Sequence, residues 1–380
     1  MGVGVRRYDL DWLRVLAVLV LVFFHSAAIF YRGELGEFYV QNDLSSSGLG
    51  WLIFFVHQWH MPLFFLLAGT ASWFSLELRT LKQYVGERFS RLFIPFVFGT
   101  LVLVPPQVYC RVLSRDGDVG SFWQFYPDFF HGIRPQGNFE WGHLWFVVYL
   151  FVLSLVALPL LWYFRTEAGK CWCARVAGFV VQGLNIFLAA VPLVIIEGAL
   201  RPQWFGFQNL YDDWANVSLY FVYFVYGFLL GADCRFEQAI ARHYIIALMT
   251  AICATLLLCG LQVTDILPER GYSGGYVGYQ MLRGFNSWCW VMAILGLGQR
   301  YLSFNNGILK YASVAAYPVY LLHQTILVAI GFYVVQWQIG IFPKVLIIST
   351  ASLSMTIAVY DLWIKRLNLT RFLFGLKPIE

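Results

Sequence analysis

Apolar runs of about 20 residues recur along this 380-residue chain from Trp12 to Trp363, each long enough to cross a hydrocarbon core of about 30 Å. That repetition leaves few folds open. Inside a bilayer the backbone must satisfy its own hydrogen bonds, so a chain built of such runs folds as a bundle of transmembrane helices. Composition bears the same way: charged residues are 12% of the chain, about half the roughly 25% of soluble domains, while hydrophobic residues reach 59%. No single water-soluble core absorbs that much apolar sequence. The expected architecture is all-α, one integral membrane domain over residues 1–380 with about ten transmembrane helices.

Spans are expected at approximately 12–32, 50–74, 92–110, 143–164, 176–197, 214–232, 244–263, 279–299, 311–335 and 343–363. The first is read as a retained span: Arg32 and Gly33 follow it without a small-x-small site, and it carries charges of its own. An even number of spans puts both termini on one side. With the termini inside, seventeen lysines and arginines fall on inner segments and eight on outer ones, so both termini are expected to be cytoplasmic. The net charge of +5 then reflects topology, and no nucleic-acid partner is expected. The seven cysteines form no disulfide framework, and the Cys171, Cys173 pair lacks the second pair of a metal site. Two loops, 111–142 and 264–278, are expected outside. Their aromatic residues suit an interfacial belt, and some of them suit stacking on a sugar-like acceptor.

Ionisable residues inside spans are costly and mark function. The first span carries Asp11, Arg14 and His25. Eleven residues are about three helical turns, so Arg14 and His25 project from nearly one face, with His25 about 16 Å further along. Asp11, three residues before Arg14, joins that stripe. The second span carries His57 and His60 just before Pro62, which removes a backbone donor. The ninth reaches His323, so His25, His60 and His323 can lie at similar depth. Three histidines at one level invite zinc, but they lack tight local pairing, and no metal is expected. At the inner end of the third span, Arg88 and Arg91 stand at i, i+3, a spacing suited to phosphate groups of a donor or to membrane lipid headgroups.

Asp11-Trp-Leu-Arg14, followed after ten residues by His25-Ser26, resembles the first helix of the acyltransferase 3 family of membrane acyltransferases. The resemblance continues in order through Met61-Pro-Leu-Phe-Phe-Leu-Leu-Ala-Gly69 with Ser72, Arg88-x-x-Arg91-Leu-Phe-Ile-Pro95, His143-Leu-Trp145-Phe, Tyr317-Pro-Val-Tyr320-Leu-Leu-His323 and Phe374-Gly-Leu-Lys-Pro378. The likeness is greatest to the branch whose members decorate periplasmic glucans with acyl groups such as succinyl. It implies a protein of the bacterial inner (plasma) membrane that moves an acetyl or succinyl group from cytoplasmic acyl-CoA to a hydroxyl of an extracytoplasmic glucan or other glycan.

In that reading Arg88, Arg91 and Arg14 bind the acyl-CoA donor. His25 is the catalytic group, as general base or as nucleophile, assisted by Arg14 and Asp11. His60, Trp145, Tyr320 and His323 serve the acceptor side. A secondary transporter or flippase with a buried His/Arg relay is the competing class. It is disfavoured by the lack of internal repeats and of matched Gly/Pro-broken helices.

Overall fold

The computed structural model describes residues 6–33, 38–117, 119–206, 208–264, 266–267 and 269–379. Among them there is no strand; a single isolated bridge joins Ile133 and Phe139. The helices used below are α1 (Tyr8–Ala28), α2 (His60–Leu78), α3 (Pro105–Asp116), α4 (Trp145–Val156), α5 (Ala190–Leu200), α6 (Trp214–Ala232), α7 (Cys234–Val263), α8 (Gly274–Tyr301), α9 (Gly307–Val334) and α10 (Ile341–Val359).

Seven helical stretches among the described residues are long and apolar enough to cross a membrane: Tyr8–Ala28, Ser47–Leu78, Leu81–Arg115, Trp214–Ala232, Cys234–Val263, Gly307–Val334 and Ile341–Ile364. An eighth is formed if Gly142–Val156 and Leu158–Arg165 make one span. These two helices meet at 51°, where Pro159 removes a backbone donor. The surface of α7 is the inverse of a soluble helix. Ala247, Ala251 and Leu258 are buried, whereas Ile245, Met249 and Leu256 project outward on the opposite side. Large apolar side chains facing out and small ones facing in are what lipid on one side and close helix packing on the other require. The chain is therefore an integral membrane protein.

Two expected spans depart from that pattern. At 176–197 the helix Glu167–Val180 stops, the chain turns at Gly183 with φ +51°, and helix resumes only in Asn185–Ala189 and α5. Its apolar part, Asn185–Leu200, is short. At 279–299, α8 is long, with 28 residues, but carries buried Gln280, Asn286 and Ser287 that lower its hydropathy. By length and composition alone, seven helices among the described residues are membrane-spanning candidates, or eight with the bent pair.

The chain divides into two units. One gathers the N-terminal part up to Arg14 with His57–Val85 and Tyr149–Asn306; the other gathers Val15–Val56, Gly86–Val148 and the chain from Gly307 onward.

In the first unit α2 and α6 run parallel. Phe65 stacks on Tyr220 with centroids 4.5 Å apart, Thr70 Oγ1 donates to the Gly227 carbonyl at 2.8 Å, and Trp73 lies against Gly231. The helices α5 and α8 run antiparallel. Trp288 Nε1 donates to the Ile186 carbonyl at 3.1 Å just before α5, Gly284 faces Leu193, and Gly198 faces Met281. Between α6 and α7 the extended Asp233 caps α7 by accepting from the Arg235 backbone N–H at 3.0 Å. The Arg235 guanidinium hydrogen-bonded to Asp233 also holds that carboxyl below the usual carboxylate range.

In the second unit α1 and α9 run parallel, with His25 beside His323 and Ile29 against Gly331. Val22, Ile29, Phe30, Leu327, Val334 and Ile348 form its core. Lys344 on α10 is buried but satisfied: its ammonium donates to Asn42 Oδ1 and to the Val335 carbonyl, both at 2.7 Å. Three single π-helical turns, Phe89–Phe93, Gly99–Leu103 and Tyr360–Ile364, also fall in this unit.

Candidate active site

Residues of α9 build the floor of the site. Tyr320, His323 and Gln324 follow Pro318 at helical spacing and are all buried. His323 is fully enclosed, and its Nδ1 lies 2.6 Å from the Tyr320 carbonyl. A carbonyl only accepts, so Nδ1 carries the hydrogen, and Nε2 of the neutral ring is an acceptor.

That acceptor lies 3.0 Å from Nδ1 of His25 on α1, with the two rings nearly coplanar at 4° and their centroids 5.2 Å apart. His25 Nδ1–H therefore donates to His323 Nε2, and Nε2 of His25 becomes the basic nitrogen of that ring. The direction of the pair follows from the hydrogen-bond network. Phe24 and Phe38 pack against His25, with ring centroids at 5.3 and 5.8 Å.

A third imidazole completes the group. His143 stands in the one-turn 3-10 helix Gly142–Leu144, which Gly142 enters with φ +49°. Its Nε2 lies 3.0 Å from the Leu321 carbonyl, and its own carbonyl accepts from the Tyr320 hydroxyl at 2.5 Å. These two bonds pin the turn to α9 and set the His143 ring edge-on to His323, with centroids 5.3 Å apart.

Beside them, Thr325 Oγ1 and Gln107 Nε2 donate to the Leu103 carbonyl at 2.7 and 2.9 Å, and Gln324 Nε2 donates to Gln107 Oε1 at 3.0 Å. Leu103 ends a π-helical turn, where the regular helical pattern of accepting carbonyls is interrupted. Among the described residues no three His, Cys, Asp or Glu side chains are placed to hold a metal ion.

The structure thus brings His25, His323 and Tyr320 together. Trp145 is buried at the first position of α4, two residues after His143. Arg88 and Arg91 flank the start of the π turn Phe89–Phe93, and Arg91 pairs with Glu87 at 3.2 Å. Tyr317 and the Arg91 carbonyl both lie against Gly375, and the Tyr317 ring is 6.4 Å from that of Tyr320. One face of α9 therefore leads from the arginine pair through Tyr317 and Tyr320 to His323.

Asp11, Arg14 and His60 belong to the first unit. Asp11 bridges Arg6 at 2.9 Å and Arg14 at 3.0 Å, and His60 packs edge-on to Phe64 at 4.9 Å. His143 and the Gln107–Gln324–Thr325 network were not singled out by sequence reasoning. His143 does stand in the quoted His143-Leu-Trp145-Phe motif, the one signal that marks it.

Around the preceding loop, Glu140 joins Arg111 and Arg134, both at 2.7 Å, and the Tyr39 hydroxyl abuts Gly142. Burial and then the Glu140 carboxylate push the Tyr39 hydroxyl well above its ordinary range, so it stays protonated.

An apolar helical bundle holding a directed pair of imidazoles defines the class: an integral membrane protein with two hydrogen-bonded histidines buried between its helices. The acyltransferase-domain family matches residues 7–362, and the chain belongs to that family, the acyltransferase 3 family of membrane acyltransferases. It is similar to the glucans biosynthesis protein C of Salmonella paratyphi B and to that of Salmonella heidelberg. Each is 23% identical over 394 residues, covering 98% of this chain and 95% of the relative. No solved structure matches the chain.

Proposed function

We propose that this acyltransferase moves an acetyl or succinyl group from cytoplasmic acyl-CoA to a hydroxyl of an extracytoplasmic glucan or related glycan, with His25 as the general base. The observation that carries the reading is the His25–His323 hydrogen bond, whose direction is fixed by the Tyr320 carbonyl. Nε2 of His25 accepts the proton of the acceptor hydroxyl as its oxygen attacks the thioester carbonyl. The C–S bond then breaks, and the imidazolium returns the proton to the departing thiolate, leaving an ester and coenzyme A. His323 steadies the imidazolium by accepting from its Nδ1–H. Arg88 and Arg91 hold the donor's phosphates by charge-assisted hydrogen bonds, with Arg14 on the donor's path and Asp11 holding Arg14. The glycan acceptor is taken from the names of the relatives, and Trp145, Tyr320, His323 and His60 are assigned to its side.

Purified protein incubated with succinyl-CoA or acetyl-CoA and a soluble glucan should yield a glucan ester detectable by mass spectrometry. His25→Gln keeps bulk and hydrogen bonding but cannot act as a base, so the rate should fall by about 10²-fold or more. Near-normal transfer by His25→Gln, or no ester from either donor, would overturn the proposal. Quenching with labelled acyl-CoA and no acceptor should leave no label on the protein; label on His25 would replace direct transfer by an acyl-histidine route.

A further inference from the structure

His143 is not used by the mechanism above, yet it is built as a site residue. Its Nε2 faces the Leu321 carbonyl at 3.0 Å, so that nitrogen carries the hydrogen and Nδ1 is a bare acceptor. Nδ1 is enclosed and has no hydrogen-bond partner among the described residues, on a residue only 6% exposed. A buried acceptor left unmatched is unfavourable, and such groups in native proteins call for a specific explanation. The ring is not loosely held. The Leu321 bond, the Tyr320 hydroxyl on its own carbonyl and the edge contact with His323 fix its position.

We propose that His143 Nδ1 accepts a hydrogen bond from a hydroxyl of the polyhydroxylated acceptor, and so orients the sugar against His25. The proposal rests on the acyl-transfer reading and assigns it a further substrate-binding residue. A nitrogen without a hydrogen can pair only with a donor, and a sugar ring presents several hydroxyl donors. Position favours the sugar over the amide N–H groups of the acyl donor. The Arg91 carbonyl lies with Tyr317 at Gly375, about one helical turn back along α9 from Leu321, whereas His143 bonds at Leu321, beside His323. The turn that carries His143 also emerges from the loop of Glu140, against Tyr39.

Two amide variants separate the two faces of the ring. His143→Asn places an acceptor oxygen near Nδ1 but loses the bond to Leu321. His143→Gln reaches the Leu321 carbonyl with its amide N–H but has no acceptor at the Nδ1 position. Binding of a tritium-labelled soluble glucan oligosaccharide to the detergent-solubilised protein is measured without donor, alongside binding of succinyl-CoA and the thermal midpoint. His143→Gln should weaken glucan binding about tenfold and leave succinyl-CoA binding within about twofold, while His143→Asn should bind glucan nearly as wild type does.

Unchanged glucan binding by His143→Gln, equal losses by both variants in step with falling thermal midpoints, or no glucan binding by wild type would each overturn the proposal. A loss confined to succinyl-CoA would also overturn it, by moving Nδ1 to the donor side. Because binding is read without turnover, a wild type that binds glucan but transfers nothing contradicts the acyl-transfer reading and leaves the His143 result standing.

Discussion

A hydrogen bond between two neutral imidazoles has a direction, and in this protein a third group sets it. The Tyr320 carbonyl claims the Nδ1–H of His323, so His25 must donate from Nδ1 and keep its basic nitrogen at Nε2. His323→Leu removes the acceptor while leaving His25 in place. Its Nδ1–H then loses its partner, the ring is no longer held in one tautomer, and kcat should fall by roughly 10–10²-fold. The KM for acyl-CoA should change little, because His323 acts through His25. A rise in that KM without a fall in kcat would make His323 a donor-binding group. Depth along the spans put His25, His60 and His323 at one level from sequence; the structure pairs His25 with His323, while His60 belongs to the other unit. The tautomer was not legible, because it depends on a backbone carbonyl three residues before His323. His143 was missed for a related reason. It lies at the mouth of a span in a single 3-10 turn, where hydropathy reads an ordinary loop histidine.

Between elements, the tightest approach is the parallel crossing of α2 and α6. A Cβ on Gly69 would sit 1.9 Å from the Phe224 carbonyl oxygen, and one on Gly227 would sit 1.8 Å from that of Leu66. Each glycine accommodates the other helix's backbone, as small residues do where membrane helices pack without a hydrophobic driving force. Gly227→Ala should therefore destabilise the detergent-solubilised protein by about 1–3 kcal/mol, the usual cost of overpacking, seen as a lower thermal midpoint. Gly260→Ala on α7, where a new Cβ meets nothing within 4 Å, is the control and should be neutral within about 1 kcal/mol. Equal midpoints for the two variants would refute the close-approach argument. Apolar windows located α2 and α6 in the sequence because both are uniformly apolar. The same windows could not register the break at Gly183, the 51° bend before Pro159 or the π turns. Those features change backbone geometry without changing mean hydropathy.

Across the whole molecule, helix directions constrain how often the chain crosses. The parallel pair α2 and α6 requires an odd number of crossings between them in sequence. Three candidates lie there: Leu81–Arg115, the bent pair Gly142–Val156 and Leu158–Arg165, and the interrupted segment from Glu167 to Leu200. If the first two cross, the third must cross as well, despite the break at Gly183. The parallel pair α1 and α9 likewise needs an odd number between them, which is met when α8 crosses despite its polar residues. The ten spans and cytoplasmic termini expected from the sequence would have these directions, and cysteine labelling tests them. In a cysteine-free background, Tyr211→Cys and Tyr272→Cys, both strongly exposed, should react with a membrane-impermeant maleimide from outside intact cells. Lys170→Cys, at an exposed position beyond the break, should react only after permeabilisation. Should Tyr211→Cys and Lys170→Cys label from the same side, the segment between them turns back within the membrane. The crossing count would then drop, and the passage of the acyl group from a cytoplasmic donor to an outside acceptor would lose its topological basis.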